Sequence, residues 1–566
     1  MYDPSQPRSR VFLPAILSGL LQYAAYFPID AGLLAWFALV PLLSLVHANA
    51  RPRRIYFAAF VGGLFCYIPA IQWMRVAHPA MYAAWIFLAI YCSLCQTVAI
   101  WFVRRLDRVG VPLWLAVPVA WVSVDYFRAH APTGFTWLEW FGARHPIGFG
   151  WYMLGHTQHD WCSLIQVADL GGVYAVTFLI ALVNAVIWQT VQSVPSVRAW
   201  LRSPNPPEPR SVRPNLVAAG LLVAAVAYGV IRLNHEPFAE GPQVALVQGN
   251  LPQDVKNMHG DVMKKHFYSL ADRAAEMKPD LVVWAETSYL APWVDVAPTA
   301  GGSELPPNVE RAVNFARMEI EADMVQGWDL GRPGWRTPSL FGLSLLEWES
   351  EHKLWRYNSA LLVDANGQAV DRYDKIHLVP WGEYVPMKET FPFLKMFTPY
   401  EGDYDCKPGE RWTRFPFTVG DRNYHFACLI CYEDTDATLA RTYVRPGAEG
   451  VDFFVNISND GWFKGTAEHE QHLAICRFRA IETRRSIARA VNMGISAIIN
   501  PDGRVVALPG ETWGKSKKVE AVVRGPVPID TRTTLYARFG DWLPLAGWAV
   551  ILGGIVRGSF RRRPAA

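Results

Sequence analysis

Eight apolar runs approach or exceed the roughly 20 residues a helix needs to cross a bilayer. Seven fall before position 235, over about 11–27, 31–48, 55–74, 80–103, 110–127, 170–191 and 215–232; the eighth covers about 542–556. Between the seventh and the eighth the period changes. Strand-like runs at 243–248, 281–285, 360–363, 425–430, 452–457, 496–499 and 518–523 are spaced by helical stretches such as 262–277 and 468–484. Such alternation predicts a layered sheet-and-helix domain. Asp364-Ala365-Asn366-Gly367 and Asn500-Pro501-Asp502-Gly503 carry the turn chemistry of hairpins. The expected organisation is a membrane domain over 1–234, an α/β domain over 235–535, and a last span with a basic tail over 536–566. The Pro-rich stretch at 204–209 reads as a stiff linker between the sixth and seventh spans.

Charge orients the spans. Arg8 and Arg10 precede the first span, and Arg51, Arg53 and Arg54 separate the second from the third. Arg104, Arg105 and Arg108 follow the fourth. Arg198, Arg202, Arg210 and Arg213 lie between the sixth and seventh, and Arg557, Arg561, Arg562 and Arg563 follow the eighth. With both ends inside, every cluster falls on the cytoplasmic side and residues from about 235 to 540 lie outside. The first run holds Ser18 and Gln22 but leads straight into the next without a small-residue cleavage site, so it is expected to be a retained span. A net charge of +4 over 566 residues, with no basic helix or aromatic RNA-binding signature, argues against nucleic acid.

The polar segment carries the chemistry. Cys431 ends the apolar run that starts at Phe426, Glu286 follows Leu281-Val282-Val283-Trp284, and Lys375 sits in Tyr373-Asp374-Lys375-Ile376-His377. A strand-end thiol with a carboxylate and an ammonium is a recipe for a nucleophile. The unperturbed thiol and carboxyl pKa values differ by about 4 units, about 6 kcal/mol against proton transfer in water. The site must therefore raise Glu286, lower Cys431 through Lys375, or do both. Cys428 reads as strand core, and Cys92 and Cys95 as packing inside a span. Glu468-His469-Glu470-Gln471-His472 has no third ligand at metalloprotease spacing and reads as a helix surface, so no metal is expected.

Longer motifs then align. They are Val247-Gln248-Gly249-Asn250-Leu251-Pro252-Gln253, Trp284-Ala285-Glu286-Thr287, the run from Lys375 through Trp381-Gly382-Glu383-Tyr384 to Pro386, Cys431-Tyr432-Glu433, and Ile457-Ser458-Asn459-Asp460-Gly461-Trp462-Phe463. Together the chain resembles the apolipoprotein N-acyltransferases, bacterial inner-membrane enzymes with about eight transmembrane helices and a periplasmic nitrilase-like domain, an αββα sandwich. The resemblance implies a catalytic triad of Glu286, Lys375 and Cys431, with Glu383, Tyr432 and Glu433 in support and Trp462 near the acyl pocket. It implies no cofactor, a phospholipid acyl donor and a diacylated apolipoprotein acceptor, with the chain acting as a monomer. The expected route is ping-pong: a thioester on Cys431, then attack by the α-amine of an S-diacylglyceryl-cysteine. Lys375 and the backbone N–H of Tyr432 would hold the oxyanion. Segment 391–397, with Phe393 and Phe397, is expected to form an interfacial arm that admits acyl chains. The rivals are a membrane-anchored carbon–nitrogen hydrolase (amidase) and a non-catalytic lipid-binding or transport protein. Eight spans argue against the first and an intact triad against the second. After Glu286, Thr287-Ser288-Tyr289 replaces the family's small-residue and proline continuation, and a long gap precedes Lys375.

Overall fold

The computed structural model describes residues 2–131, 148–204, 211–253, 260–300, 305–329, 331–351, 353–385, 388, 390–397 and 405–560. Most of the Pro-rich linker (205–209) and the basic tail from 561 lie outside the described residues. The chain divides into two compact units. One holds the helices before His235 and after Thr534, and the other holds Glu236–Thr533.

The helical unit contains Phe12–Ala25, Pro52–Ala70, Met81–Arg108, Leu113–His130, Val173–Val191, Arg213–Leu233 and Trp542–Phe560. Of these, Met81–Arg108, Val173–Val191, Arg213–Leu233 and Trp542–Phe560 are long and apolar enough to cross a membrane. Arg213–Leu233 turns Leu216, Val223 and Ile231 outward, each about 70% exposed (68%, 68% and 70%), which suits a lipid-facing surface. Close packing comes from small residues: a Cβ on Gly19 would stand 2.0 Å from the carbonyl oxygen of Gly62 on the neighbouring helix.

The run at 31–48 does not form one regular helix. It breaks into Gly32–Leu34, Ala35–Ala38 and Val40–Leu43, with Pro41 in the last piece. Proline offers no N–H to continue a helix. Just before it, the Leu39 N–H and the Ala35 carbonyl, which would bond each other in a regular helix, are met from another helix instead. The Asn184 side chain accepts from the Leu39 N–H at 2.8 Å and donates to the Ala35 carbonyl at 2.8 Å. Irregular backbone of this kind survives in an apolar unit only where a side chain satisfies it.

The second unit is a four-layer sandwich. Its strands are β1 (Ala239–Gln248), β2 (Leu281–Val283), β3 (Trp293–Val296), β4 (Ser339–Ser350), β5 (Lys353–Val363), β6 (Ala369–Asp374), β7 (Phe415–Val419), β8 (Arg422–Ile430), β9 (Phe453–Ser458), β10 (Ser486–Val491), β11 (Ala497–Ile499), β12 (Val505–Ala507) and β13 (Ala521–Ile529). One sheet runs β13-β1-β2-β4-β5-β6 with β3 beside β4, and the other β12-β11-β10-β9-β8-β7. Period-2 alternation assigns the faces. Val244, Leu246, Leu281 and Val283 of the first sheet pack on Phe426, Cys428, Ile430, Phe453 and Val455 of the second. The outer face of the first sheet is covered by α1 (Gly260–Glu276) and α2 (Pro307–Val325), through Phe267, Ala271, Ile320 and Met324. The outer face of the second is covered by α3 (Glu468–Thr483), through Leu473, Cys476 and Ala480. Cys428 is thus core, as its place in the strand predicted.

Both expected hairpins form, β5–β6 around Gly367 and β11–β12 around Gly503, each glycine at positive φ (84° and 75°). The reading of 468–472 as helix surface is wrong. Every residue of α3 is buried. Several of its polar residues are paired within the fold, as buried polar groups must be: His472 contacts Asp434 at 2.7 Å, Arg479 pairs with Glu482 at 2.7 Å, and Arg477 donates to the Gly503 carbonyl at 2.6 Å.

Candidate active site

Each sequence-predicted triad member sits at or just past the end of a strand. Cys431 follows β8 directly, Lys375 follows β6 directly, and Glu286 comes three residues after β2. The chain turns sharply there. Cys431 (φ 53°), Thr287 (φ 47°) and Trp381 (φ 60°) all adopt the left-handed conformation that side chains disfavour. Such strain persists where surrounding contacts over-determine it, and it clusters at functional sites.

Lys375 is 1% exposed, and its Nζ lies 2.9 Å from Glu383 Oε2 and 3.4 Å from Glu286 Oε1. Burial opposes charging this ammonium, but Glu383 and Glu286 outweigh it and hold its pKa well above the ordinary value. Glu383 also accepts from the Val379 N–H at 2.8 Å. The two carboxylates share a second partner that sequence reasoning missed. Asn358 Nδ2 donates to Glu286 Oε1 at 2.6 Å and to Glu383 Oε1 at 2.7 Å. The only sequence signal for Asn358 was a polar side chain at the head of the apolar run to Val363.

The Cys431 thiol feels Glu286 and Lys375 directly. Burial first, then Glu286, push it up to about 12, against the pull of Lys375. The resting thiol is therefore protonated. Of the two routes the pKa mismatch allowed, lowering Cys431 through Lys375 is not the one the resting site takes, and a base must remove the proton in the reaction.

Glu433 is fully buried and serves the turn rather than the thiol. Its Oε1 accepts from Tyr373 OH (2.8 Å) and from the N–H groups of Ile376 (2.8 Å) and His377 (3.0 Å), and its Oε2 from the Ile430 N–H (2.7 Å). One carboxylate thus ties the backbone just before Cys431 to the backbone just after Lys375. Tyr432 is partly buried beside Cys431, and Trp462 lies partly buried on the Asp460–Phe463 turn after β9. The segment Pro392–Phe397 is a short 3₁₀ helix whose Phe393 and Met396 are 62% and 71% exposed. Phe397 ends it; residues 398–404 lie outside the described region.

Among the described residues, Asp460, Glu468 and His472 bring ligand-type atoms within 4.8 Å of one another. Arg489 already lies 3.2 Å from Asp460 and supplies positive charge there. The cluster is not, by itself, a metal site.

Comparison with known proteins bears on both units of the chain. Residues 18–186 match the apolipoprotein N-acyltransferase N-terminal domain, and residues 243–516 match the carbon-nitrogen hydrolase family. An apolipoprotein N-acyltransferase of Geobacter metallireducens is 32% identical over 98% of this chain and 96% of its own length. Those of Rhodopirellula baltica and Bradyrhizobium diazoefficiens are each 27% identical, over 93% and 98% of this chain and 93% and 95% of theirs. A likeness of this strength along nearly the whole of both chains makes the protein a member of the apolipoprotein N-acyltransferase family, and an acyltransferase.

Proposed function

We propose that the chain moves an acyl group from a membrane phospholipid to the α-amine of an S-diacylglyceryl-cysteine at a lipoprotein N-terminus. The observation that carries this reading is a strand-end thiol coupled to Glu286 and Lys375, inside a chain whose other unit is built of apolar helices. Glu286 takes the thiol proton as Cys431 attacks the donor ester. Lys375 steadies the oxyanion, with the Tyr432 backbone N–H. As the intermediate collapses, Glu286 returns that proton to the leaving lysophospholipid oxygen, so that the thioester forms and Glu286 is a carboxylate again. The amine then attacks the thioester, Glu286 takes its proton and hands it to the departing Cys431 sulfur, and the amide forms with the thiol and the Glu286 carboxylate restored. Glu383 holds Lys375, and Glu433 holds the turn.

The test is transfer itself. An alkyne-tagged phospholipid should label the enzyme through a hydroxylamine-sensitive bond, and a diacylated lipopeptide should discharge the label as an N-acyl peptide. Release of free fatty acid alone, at the same rate with or without lipopeptide, would favour the hydrolase reading.

About eight spans, both ends in the cytoplasm and the 235–535 domain in the periplasm complete the proposal, on the strength of five Arg-rich loops on one side. Reporter fusions near Pro206 should read cytoplasmic and near Gly367 periplasmic; a cytoplasmic reading at Gly367 would overturn it.

Segment 391–397, exposed at Phe391, Phe393 and Met396, is proposed as the arm that admits acyl chains. An exposed Phe has little to lose in the fold and much to gain on lipid, about 0.8 kcal/mol for each CH₂ of acyl chain it helps shield. Phe393→Ser with Phe397→Ser should slow labelling by long-chain phospholipid about tenfold and leave the melting temperature unchanged. Equal loss toward a short, water-soluble ester would remove the arm from lipid handling.

A further inference from the structure

Five titratable side chains buried behind the Cys431 turn take no part in the proton transfers above. Asp434, Asp460, Glu468, His472 and Arg489 are all no more than 2% exposed. His472 Nε2 lies 2.7 Å from Asp434 Oδ1, and its Nδ1 lies 3.3 Å from Asp460 Oδ1 and 3.4 Å from Glu468 Oε1. Arg489 reaches the same two aspartates by their other oxygens, Asp434 Oδ2 at 2.7 Å and Asp460 Oδ2 at 3.2 Å. Arg489 also donates to Asn456 Oδ1 on β9, its register partner, and Ser458 Oγ donates to Asp460 Oδ1 at 2.7 Å. Two cations therefore bridge the same two anions, a closed ring of four.

The charges balance. Burial, reinforced by Asp460, pushes Glu468 up to about 8, so it is mainly protonated at neutral pH. Burial and Arg489 oppose charge on His472, yet Asp434 and Asp460 hold its pKa well above the ordinary histidine value. Two carboxylates then face an imidazolium and a guanidinium, the condition under which buried charge is tolerated.

What the ring joins gives it a purpose. Asp434 belongs to the Cys431–Thr435 turn, three residues from the thiol. Asp460 opens the Asp460–Phe463 turn, two residues before Trp462. These turns leave β8 and β9, which lie side by side and parallel. The same helix, α3, further secures the first turn through Arg479, which donates to the Thr435 carbonyl at 3.1 Å. Two turns with no regular backbone ladder between them are thus pinned by one buried ionic ring.

We infer that His472 is a positioning residue: with Arg489 it staples the Cys431 turn to the Trp462 turn and so fixes where the thiol meets the acyl carbonyl. This rests on the reading of Cys431 as nucleophile. His472 touches no reacting atom. It holds the turns through Asp434 on one side and Asp460 on the other. Its charge also pulls the Cys431 thiol down while Asp460 pushes it up. His472→Gln and Asp460→Asn therefore move the thiol in opposite directions, and only a loss common to both reports the staple. Misplacing a reacting group by about 1 Å costs on the order of 100-fold in rate, and that is the loss expected when the staple opens.

His472→Gln keeps a hydrogen-bonding side chain but can neither carry the charge nor span both aspartates. Purified full-length variant should be titrated for active sites by the phospholipid label, then assayed for transfer per labelled site. The expected result is a per-site kcat lower by about 100-fold, with the donor KM within threefold. Loss of folded enzyme alone would instead lower the number of labelled sites while the per-site rate stayed within threefold of the parent, and that result would overturn the inference. Asp460→Asn covers the case of a variant that does not fold; it should give the same split of kcat from KM. Because both substitutions open one ring, the double variant should be no slower than the slower single one. Additive losses would overturn the staple. Failure of the underlying reading is separable, since it would appear as label retained in Cys431→Ser whatever His472 does.

Discussion

Cys431→Ser is expected to lower acyl transfer by about four orders of magnitude and to remove the hydroxylamine-sensitive phospholipid label altogether, with the melting temperature within a few degrees of the parent. The substitution changes one atom at a partly buried position, so packing has little to lose. The chemistry has almost everything to lose. An alcohol is far less acidic than a thiol, and Glu286 already faces a thiol that burial and its own charge have pushed up to about 12. The same shift fixes the pH behaviour of the resting enzyme. Far below the pKa, thiolate grows about tenfold with each pH unit. Alkylation of Cys431 by a small neutral reagent should therefore climb tenfold per unit from pH 7 to 9 without a plateau. A plateau near neutrality would mean a standing thiolate and leave Glu286 no proton to take. Persistence of the lipid label in Cys431→Ser, or its appearance on Cys406 or Cys428, would end the nucleophile assignment.

Cys431 and Glu286 stood out because each follows an apolar run, and a polar residue at a strand end is conspicuous even without a fold. Lys375, which follows the polar stretch Asp371-Arg372-Tyr373-Asp374, stood out only through its motif. Glu383 was legible only through the longer motif around Trp381-Gly382. The residues that were not legible owe their place to pairing across the fold. Asn358 lies on β5, and it meets Glu286 and Glu383 only because β5 pairs with β4 on one side and β6 on the other. His472 was visible as part of a polar cluster and misread as surface, since one helix period cannot reveal that Asp434, 38 positions earlier, waits to pair with it. The irregular helix at 31–48 has the same origin. Its composition is apolar enough for a helix, and the deciding contact comes from Asn184 on a helix far along the chain. Local pattern reports propensity; satisfied burial is a property of the assembled layers.

Lys375→Met should be the most damaging change to the site after loss of the thiol, and it should act on stability and rate together. Methionine matches the length of the buried stem, so the expected loss comes from charge. Glu286 and Glu383 are both tied to Asn358 Nδ2, and Lys375 is the ammonium that lies between them. Removing one partner of a buried ion pair costs about 3–5 kcal/mol, and losing an oxyanion donor costs about 100- to 1,000-fold in kcat. The pH dependence follows from the direction of the lysine shift. Its folded pKa is raised, so its contribution to stability is complete below the unfolded value of about 10.4 and fades only as pH climbs through the folded value. The stability deficit of the variant should accordingly be the same at pH 6 and at pH 9, measured as the difference in denaturant midpoint in detergent. A deficit that vanished anywhere in that window would mean the ammonium is not held as the geometry implies. Transfer within tenfold of the parent would remove Lys375 from the oxyanion and leave it a structural counter-charge for two carboxylates.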